Sequence, residues 1–407
     1  MRTLRIMACI LTGLLFIFSG YAKVIDPMGS AIKFGEYFEA FNMHAFIPGA
    51  FVFGVLLAVG ELVIGICLFF SIKVKLISWA AIAFMLFFTL LTFVLAVFNP
   101  VSDCGCFGDA IKLTNWETFY KNLIILPIAI FIFIQRNEYK TYFSDKTEWF
   151  MLSIFLIYTT GIAFYSYRHL PLIDFMAYKV GNNIRDGRIY PEGTPEAEYD
   201  NTFIYEKDGR KQEFKIENLP DSTWTFTDAK SELIAEGYVP PMADFIITSK
   251  DGDFITDEIL DSSGYMVFIT SVDINEIKPH DDIKTDAVYE YCHKNNIGLM
   301  MLTGSSDEEI KAFSDRNHAV YPVYFVDVTV LKSMVRSNPG MMLLHDATIL
   351  KKWSGYDIPS VIQFEKTIKT DVETLISGYL YKEKRDTVVL AVVLLIFVAI
   401  MFLIKRK

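Results

Sequence analysis

Long apolar segments alternate with short polar ones along most of this chain, and one long polar segment separates the fifth apolar segment from the sixth. Six segments approach the roughly 20 mostly apolar residues that a membrane-spanning helix needs. The fourth is short and contains Pro127, which a packed helix bundle tolerates. The six predicted spans are Leu4–Tyr21, Pro48–Phe70, Leu76–Phe98, Phe119–Ile134, Trp149–Tyr165 and Val388–Ile404.

Lysine and arginine are concentrated on one side of these spans. Ten basic residues flank that side, and four lie in the short loops opposite. Because cytoplasmic loops are enriched in basic residues, we expect a multi-pass protein of the bacterial inner membrane with both termini cytoplasmic. Residues 22–47, 99–118 and 167–385 are then extracytoplasmic. The basic start of the first span also fits a cleaved signal peptide, which would leave the extracytoplasmic assignments unchanged.

Composition separates the chain into an apolar body and an acidic soluble part. Hydrophobic residues make up 52% of the 407 residues and charged residues 21%. The segment 167–385 holds 37 acidic and 24 basic residues. No basic surface is available to neutralise phosphates, which excludes a nucleic-acid binder. Five cysteines are too few for a disulfide scaffold. The partners implied are the lipid bilayer and another protein, and the sequence leaves the oligomeric state open.

The soluble segment has the pattern of an α/β domain preceded by a β-hairpin. Residues 200–219 alternate apolar and polar side chains around the turn signal Asp208-Gly209. Strand and helix patterns then alternate, which predicts a thioredoxin-like fold. The predicted elements are strand Met266–Thr270, helix Asp282–Asn295, strand Gly298–Leu302, helix Asp307–Asn317, strands Val320–Val326, Gly340–Leu344 and Ile349–Trp353, and helix Ser360–Ser377.

Two features make the thioredoxin-like resemblance specific. Pro339 precedes the hairpin of the two last strands, where thioredoxin-like proteins carry a cis-proline, and residues 240–245 resemble the lead-in of extracytoplasmic members. The usual C-x-x-C is absent, since the first strand is followed by Ser271-Val272-Asp273-Ile274-Asn275. The lone Cys292 is typical of a core residue. We therefore expect a domain without dithiol chemistry that binds an extended partner chain.

A Cys-Gly-Cys motif follows the third span. Cys104 and Cys106 flank Gly105, which supplies the backbone freedom that so tight a turn needs. A disulfide between them would be strained and easily exchanged. The alternative is a structural disulfide that closes the loop. Two sulfurs without a nearby histidine make no metal site. No cofactor is evident, and a quinone is compatible with the motif but unsupported by the sequence.

Three acidic residues and one lysine complete the candidate site. Asp103 and Asp109 flank the cysteines, and like charge should keep a nearby thiol from ionising early. Glu61 lies near the middle of the second span, where a carboxylate is costly and by default functional. Lys23, at the end of the first span, is its expected partner. A hydrogen bond between packed helices is an equally strong interpretation of Glu61.

Together these residues resemble those of a known membrane family. Residues 1–137 resemble the DoxX-like superfamily, most closely its MauE-like branch with a four-helix core. The segments that carry the resemblance are Ser19-Gly20-Tyr21-Ala22-Lys23, Gly60-Glu61-Leu62-Val63-Ile64-Gly65 and Asp103-Cys104-Gly105-Cys106-Phe107-Gly108-Asp109. Residues 168–175 and the following insert resemble those of Bacteroidetes DoxX-family proteins. The resemblance implies a role in thiol–disulfide redox or in the maturation of exported proteins.

The expected fold class is an α-helical polytopic membrane protein, with a four-helix core and two further spans, and an α/β thioredoxin-like extracytoplasmic domain. The expected parts are residues 1–137 (membrane core), 138–166 (cytoplasmic loop and fifth span), 167–238 (linker and hairpin), 239–380 (thioredoxin-like domain) and 386–404 (last span). Two functions remain open. One is a thiol–disulfide oxidoreductase component using Cys104 and Cys106, and the other is a non-enzymatic binding or assembly protein with a structural disulfide.

Overall fold

A computed structural model gives the fold of the chain. It describes residues 1–101, 103–139, 142–195, 198–207, 210–215, 218–220, 223–235, 237–277, 279–317 and 321–405. The predicted turn at Asp208-Gly209 lies outside the described residues, as does Val320 at the start of the predicted third strand.

Six helices are long and apolar enough to cross a membrane, which confirms a polytopic helical membrane protein. They cover Arg2–Ile25, His44–Phe69, Val74–Phe98, Asn115–Ile134, Asp145–His169 and Val372–Leu403. The helices of the N-terminal body are α1 (Arg2–Ile25), α2 (Pro27–Ala40), α3 (Ala50–Phe69), α4 (Val74–Phe98), α5 (Asn115–Ile134) and α6 (Asp145–His169).

The sequence reading missed α2, a short helix between the first two spans. Its start signal is local, because Pro27 occupies the first turn and the Asp26 carboxylate accepts a hydrogen bond from the Gly29 amide at 2.9 Å. Proline at the first helical position and aspartate before it are both favoured at helix starts. The helix is shorter than a span and was therefore passed over as a loop.

Helices α1 and α3 pack closely through glycines. A Cβ atom placed on Gly20 would lie 2.5 Å from the Leu62 amide nitrogen, and one on Gly65 would lie 2.5 Å from that of Ile17. Small residues at such crossings let two backbones approach in a membrane bundle. This contact brings the end of α1 against the middle of α3, where the polar residues of the site lie.

The α/β domain contains a five-stranded sheet. Its strands are β4 (Tyr265–Ser271), β5 (Gly298–Thr303), β6 (Val323–Phe325), β7 (Gly340–His345) and β8 (Thr348–Ser354), in the spatial order β6-β5-β4-β7-β8. Strands β4, β5 and β6 are parallel, and β7 and β8 are antiparallel. The helices of this part are α7 (Thr256–Asp261), α8 (Pro279–Lys294), α9 (Asp307–Asn317), α10 (Val328–Met334) and α11 (Val361–Ile368).

This topology is the predicted one, and the Asn338–Pro339 peptide bond is cis as expected. The predicted helix Ser360–Ser377 is wrong, because the chain forms α11 and then a separate helix, α12 (Val372–Lys405), that continues into the last span. The break has a physical cause: the Asp371 carboxylate accepts from the Thr374 amide at 3.1 Å and so begins a new helix.

Residues Asn183–Phe245 form a second compact unit. It holds a three-stranded antiparallel sheet in the order β2-β1-β3, whose strands are β1 (Glu198–Lys207), β2 (Arg210–Lys215) and β3 (Thr225–Ala235). The predicted hairpin is confirmed as β1 and β2, with Phe203 opposite Phe214. The third strand was not anticipated from the sequence.

Candidate functional site

The Cys-Gly-Cys loop joins α4 to α5. Gly105 has a φ of +58° and Gly108 a φ of +54°, a region of backbone conformation that favours glycine. The expectation that Gly105 supplies backbone freedom is therefore confirmed. Cys104 is buried with 7% of its surface exposed, Cys106 is partly buried, and both carry free thiols.

Hydrogen-bond partners surround the Cys104 sulfur. The Cys106 amide donates to Cys104 Sγ at 3.2 Å, and Thr118 Oγ1 lies 3.2 Å from it. The Tyr37 hydroxyl donates to the Cys104 carbonyl. A hydrogen bond from the Cys106 thiol, with those from Thr118 and the Cys106 amide, lowers the pKa of Cys104 to about 6 against the opposing effect of burial.

Cys106 behaves in the opposite way. Its thiol donates to Cys104, and this hydrogen bond together with burial raises its pKa well above the ordinary value. The two sulfurs therefore differ: Cys104 is the stabilised thiolate, and Cys106 holds the proton. In such a pair the cysteine with the lowered pKa is the better leaving group in thiol–disulfide exchange.

The sequence-based expectation that the neighbouring carboxylates keep the pair from being acidic is wrong. Each carboxylate is paired with a cation: Asp103 Oδ2 lies 3.0 Å from Lys33 Nζ, and Asp109 Oδ2 lies 2.7 Å from Arg336 Nη2. These cations offset the negative charge that the sequence places next to the thiols. The pairing could not be deduced from the motif alone, since Arg336 is more than 220 residues away along the chain.

The predicted pair of Lys23 and Glu61 is confirmed. Lys23 Nζ donates to Glu61 Oε2 at 2.8 Å, and both side chains are buried. Lys23 also donates to Ser19 Oγ at 2.9 Å and to the Cys106 carbonyl. The Ser19 hydroxyl donates to the same carbonyl at 2.6 Å. The Lys23–Glu61 ion pair between α1 and α3 thus holds the Cys106 backbone in place through the hydrogen bond from Lys23 to the Cys106 carbonyl.

Arg336 is a site residue that sequence reasoning missed. It is buried and bridges two carboxylates, with Nε 3.1 Å from Asp26 Oδ2 and Nη2 2.7 Å from Asp109 Oδ2. It lies three residues before Pro339, in the loop that enters β7. Burial raises the pKa of Asp26, although Arg336 acts in the opposite direction. Arg336 therefore ties the cis-proline loop of the α/β domain to the Cys-Gly-Cys loop.

A cavity of about 560 Å³ lies against this arrangement. Both cysteines, Lys23 and Glu61 line it, and its walls come largely from apolar residues of α1, α3 and α4. Those wall residues are Leu15, Phe16, Leu57, Phe84, Met85, Phe87, Phe88 and Leu91. The structure thus brings every predicted site residue of the membrane core to one place. In the described part of the chain, no group of three or more His, Cys, Asp or Glu is arranged to hold a metal ion.

The other cysteines lie outside the site. Cys9 and Cys67 are buried in the core of the helical body, and Cys292 is buried in the core of the α/β domain. Cys9 is ten residues before Ser19 on α1, which corresponds to about 15 Å along a helix. Burial raises the pKa of Cys292 to about 12, which agrees with its expected role as a core residue.

Comparison with known families bears on the membrane part. Residues 1–135 match the family described as methylamine utilisation protein MauE. This part of the chain is MauE-like. The matched residues include Lys23, Glu61 and both motif cysteines, so the whole membrane portion of the site falls within the MauE-like segment. Residues 199–236 match a family described as a domain of unknown function (DUF8463).

Other comparisons add little. No curated protein matches this chain. A similar solved structure is the solution structure of a candidate protein disulfide isomerase from Bacteroides thetaiotaomicron, with 15% identity and a TM-score of 0.24 over 34% of this chain and 91% of that chain. A likeness at that TM-score carries no argument about this molecule.

Proposed function

We propose that this protein is a membrane thiol–disulfide exchange component that acts on exported proteins through Cys104 and Cys106. The observation that carries the proposal is the asymmetry of the pair: Cys104 has its pKa lowered to about 6, while the partly buried Cys106 keeps its proton. A structural disulfide has no need of donors that stabilise one thiolate. The MauE-like character of residues 1–135 supports a role in protein maturation at a membrane.

The asymmetry assigns separate roles to the two cysteines. When the pair is oxidised, an incoming thiolate attacks the sulfur of Cys106, the less buried residue of the two, and forms a mixed disulfide there. The bond between the two cysteines breaks, and Cys104 leaves as a thiolate held by Thr118 and the Cys106 amide. A leaving thiol of low pKa makes such an exchange faster. A second thiolate on the partner then attacks the mixed disulfide, so the partner gains a disulfide and the motif becomes a dithiol.

The α/β domain serves in this proposal as the partner-binding module. After β4, where a dithiol would be expected, Ser271 Oγ donates to Asn338 Oδ1 at 2.7 Å. The Asn338 amide donates to the Asp273 carbonyl at 2.9 Å. The side chains of Ser271 and Asn338 are therefore engaged in hydrogen bonds, and no cysteine stands beside the cis-proline as a nucleophile. Its tie through Arg336 places the domain next to the exchanging pair.

The trapping experiment follows from the two roles. The exchange is reversible, and its reverse gives the trap: in the Cys104→Ser variant, Cys106 attacks the disulfide of an oxidised partner, and the resulting mixed disulfide lacks the Cys104 thiolate that would resolve it and should accumulate. In Cys106→Ser, the buried Cys104 should trap at least tenfold less. Non-reducing electrophoresis and mass spectrometry of membranes measure both, with Cys292→Ser as a matched control that traps nothing new. Equal absence of adducts in both motif variants would contradict exchange and leave the structural disulfide.

The orientation and finer family assignment belong to the same proposal. We infer an inner-membrane protein of the Bacteroidetes DoxX type, with cytoplasmic termini and an extracytoplasmic α/β domain, from the basic residues and motifs of the sequence. In a chain whose natural cysteines are replaced by serine, single cysteines at the exposed Lys112 and Lys250 should label from outside spheroplasts. One at the exposed Ser144 should not. Labelling of Ser144→Cys alone would invert the topology.

A further inference from the structure

The cavity beside the cysteine pair opens toward lipid. Three of its lining side chains are large, apolar and exposed: Phe41 is 37%, Met43 40% and Phe87 60% exposed. Phe87 lies about halfway along α4. Exposed apolar surface on a membrane-spanning helix faces acyl chains. Phe87 on α4 therefore marks an apolar side of the cavity that a molecule dissolved in the bilayer can reach, whereas Phe41 and Met43 lie in the turn after α2.

Lys121 lines the cavity close enough to the two thiols to act on both. Lys121 is partly buried, and its ammonium lies 4.3 Å from the centre of the Phe107 ring. Among the described residues no carboxylate lies within ion-pairing distance of Lys121, whereas Lys23, Lys33 and Arg336 are all paired. Lys121 also helps to lower the pKa of Cys104. The cavity thus combines a free hydrogen-bond donor near the thiols with aromatic walls at Phe84 and Phe88.

Repeated turnover requires an electron acceptor that reoxidises the reduced cysteine pair. Oxidation of a partner leaves Cys104 and Cys106 as a dithiol, and a second turnover requires that two electrons leave it. The other cysteines, all among the described residues, are single and buried in hydrophobic cores. None can form a second exchanging pair with its neighbours. The electrons must therefore pass from the dithiol directly to an external acceptor, and the cavity lined by both cysteines can admit a small molecule.

Building on the proposed function, we propose that the cavity binds the ring of a lipid-soluble quinone, which reoxidises the Cys104–Cys106 dithiol. The Cys104 thiolate, the Cys106 thiol, one proton from solvent and the quinone give a disulfide and a quinol. One S–S bond forms, two electrons pass to the ring, and both carbonyl oxygens gain a proton. Lys121 donates a hydrogen bond to the carbonyl nearest the sulfurs. A volume of about 560 Å³ is ample for a substituted ring, since ligand pockets span about 300–1,000 Å³.

The test uses the full chain in nanodiscs of synthetic phosphatidylcholine without quinone. The protein is reduced with dithiothreitol, freed of reductant and mixed with decylubiquinone, whose fully substituted ring cannot be alkylated by thiols. Ultraviolet absorbance measures quinol, and mass spectrometry counts thiols. We expect one quinol and one disulfide per chain, with a rate that saturates with quinone. A dithiol that persists beside oxidised quinone would overturn the inference, as would occupation of the cavity by phospholipid alone.

Two tryptophan substitutions on α3 locate the reaction. Leu57 lines the cavity, whereas its neighbour Leu56 is 65% exposed on the outer surface. Leu57→Trp should slow quinol formation at least tenfold, and Leu56→Trp should leave it unchanged. Equal rates in the two would place the reaction outside the cavity. If Leu57→Trp does not fold, the saturation and stoichiometry of the unmodified chain still decide the matter.

The outcome separates this inference from the proposed function. The mixed-disulfide trap at Cys106 requires no quinone. A chain that traps a partner but forms no quinol would overturn the quinone site alone. A chain that reduces quinone but traps no exported protein would retain the quinone site and remove the proposed substrate class.

Discussion

The helical body and the α/β domain differ in how their folds relate to chemistry. The domain has the strand order and cis-proline of a thioredoxin-like fold, yet β4 ends at Ser271 and no cysteine pair follows it. The helical body has no such fold, yet its Cys104 lies among donors that stabilise a thiolate. Function follows the arrangement of side chains rather than the fold that carries them. The ion pair of Arg336 with Asp109 joins the cis-proline loop of the domain to the Cys-Gly-Cys loop of the body.

The comparison predicts that all thiol exchange comes from the helical body. Cys104→Ser and Cys106→Ser should each reduce the oxidation of a dithiol peptide by the full chain at least about 100-fold, because a single cysteine cannot form the disulfide that the peptide thiolate attacks. Cys292→Ser should leave the rate within about twofold, since that thiol is buried and its pKa is raised to about 12. Thiol titration of the peptide measures the rates. A large loss in Cys292→Ser would mean that the domain takes part directly.

The pH dependence of Cys104 provides the next test. Because its pKa is lowered to about 6, the thiolate is present above that pH and is lost as the pH falls through it. The rate of alkylation of Cys104 by iodoacetamide, followed by mass spectrometry, should be half-maximal near pH 6. In Cys106→Ala the midpoint should move up, since the largest cause of the lowered pKa is removed. An unmoved midpoint would show that Thr118 and Lys121 dominate instead.

The sequence predicted the partners of this site unevenly. Lys23 and Glu61 were paired correctly because each is a costly charge in an apolar span and needs an opposite charge nearby. The sheet was predicted because buried strands and helices alternate with distinct periods. The lowered pKa of Cys104 was not predicted, because it comes mainly from the hydrogen bond of the Cys106 thiol, which the sequence does not reveal. The ion pairs of Asp103 and Asp109 were not predicted either, since their cations come from α2 and from the α/β domain. Long-range ion pairs leave no trace in a local motif.

Replacing one member of the Lys23–Glu61 ion pair should destabilise the helical body more than replacing both members together. A buried charge left without its partner costs about 3–5 kcal/mol, whereas loss of both charges is often close to neutral. Glu61→Gln should therefore lower the unfolding temperature in detergent more than the double change Lys23→Met with Glu61→Gln does. The single variant should also alter the reactivity of Cys106, whose carbonyl Lys23 holds. Equal destabilisation by the single and double variants would indicate that the pair contributes little.

The smallest of these effects is expected for a single substitution at the contact between the α/β domain and the helical body. Arg336→Gln removes both ion pairs with Asp26 and Asp109 but keeps a hydrogen-bonding side chain in place. Because the guanidinium is buried, its loss leaves two carboxylates uncompensated. We expect a cost of about 2–3 kcal/mol, within the range for hydrogen bonds to charged groups. Hydrogen exchange should increase at residues 336–338 and 103–109 while β4 and β5 stay protected.

Lys366→Gln, on an exposed face of α11, is the matched control. If Arg336→Gln changes neither exchange nor the reactivity of Cys104, the domain is held to the body by other contacts, and its role next to the reactive pair loses its structural basis.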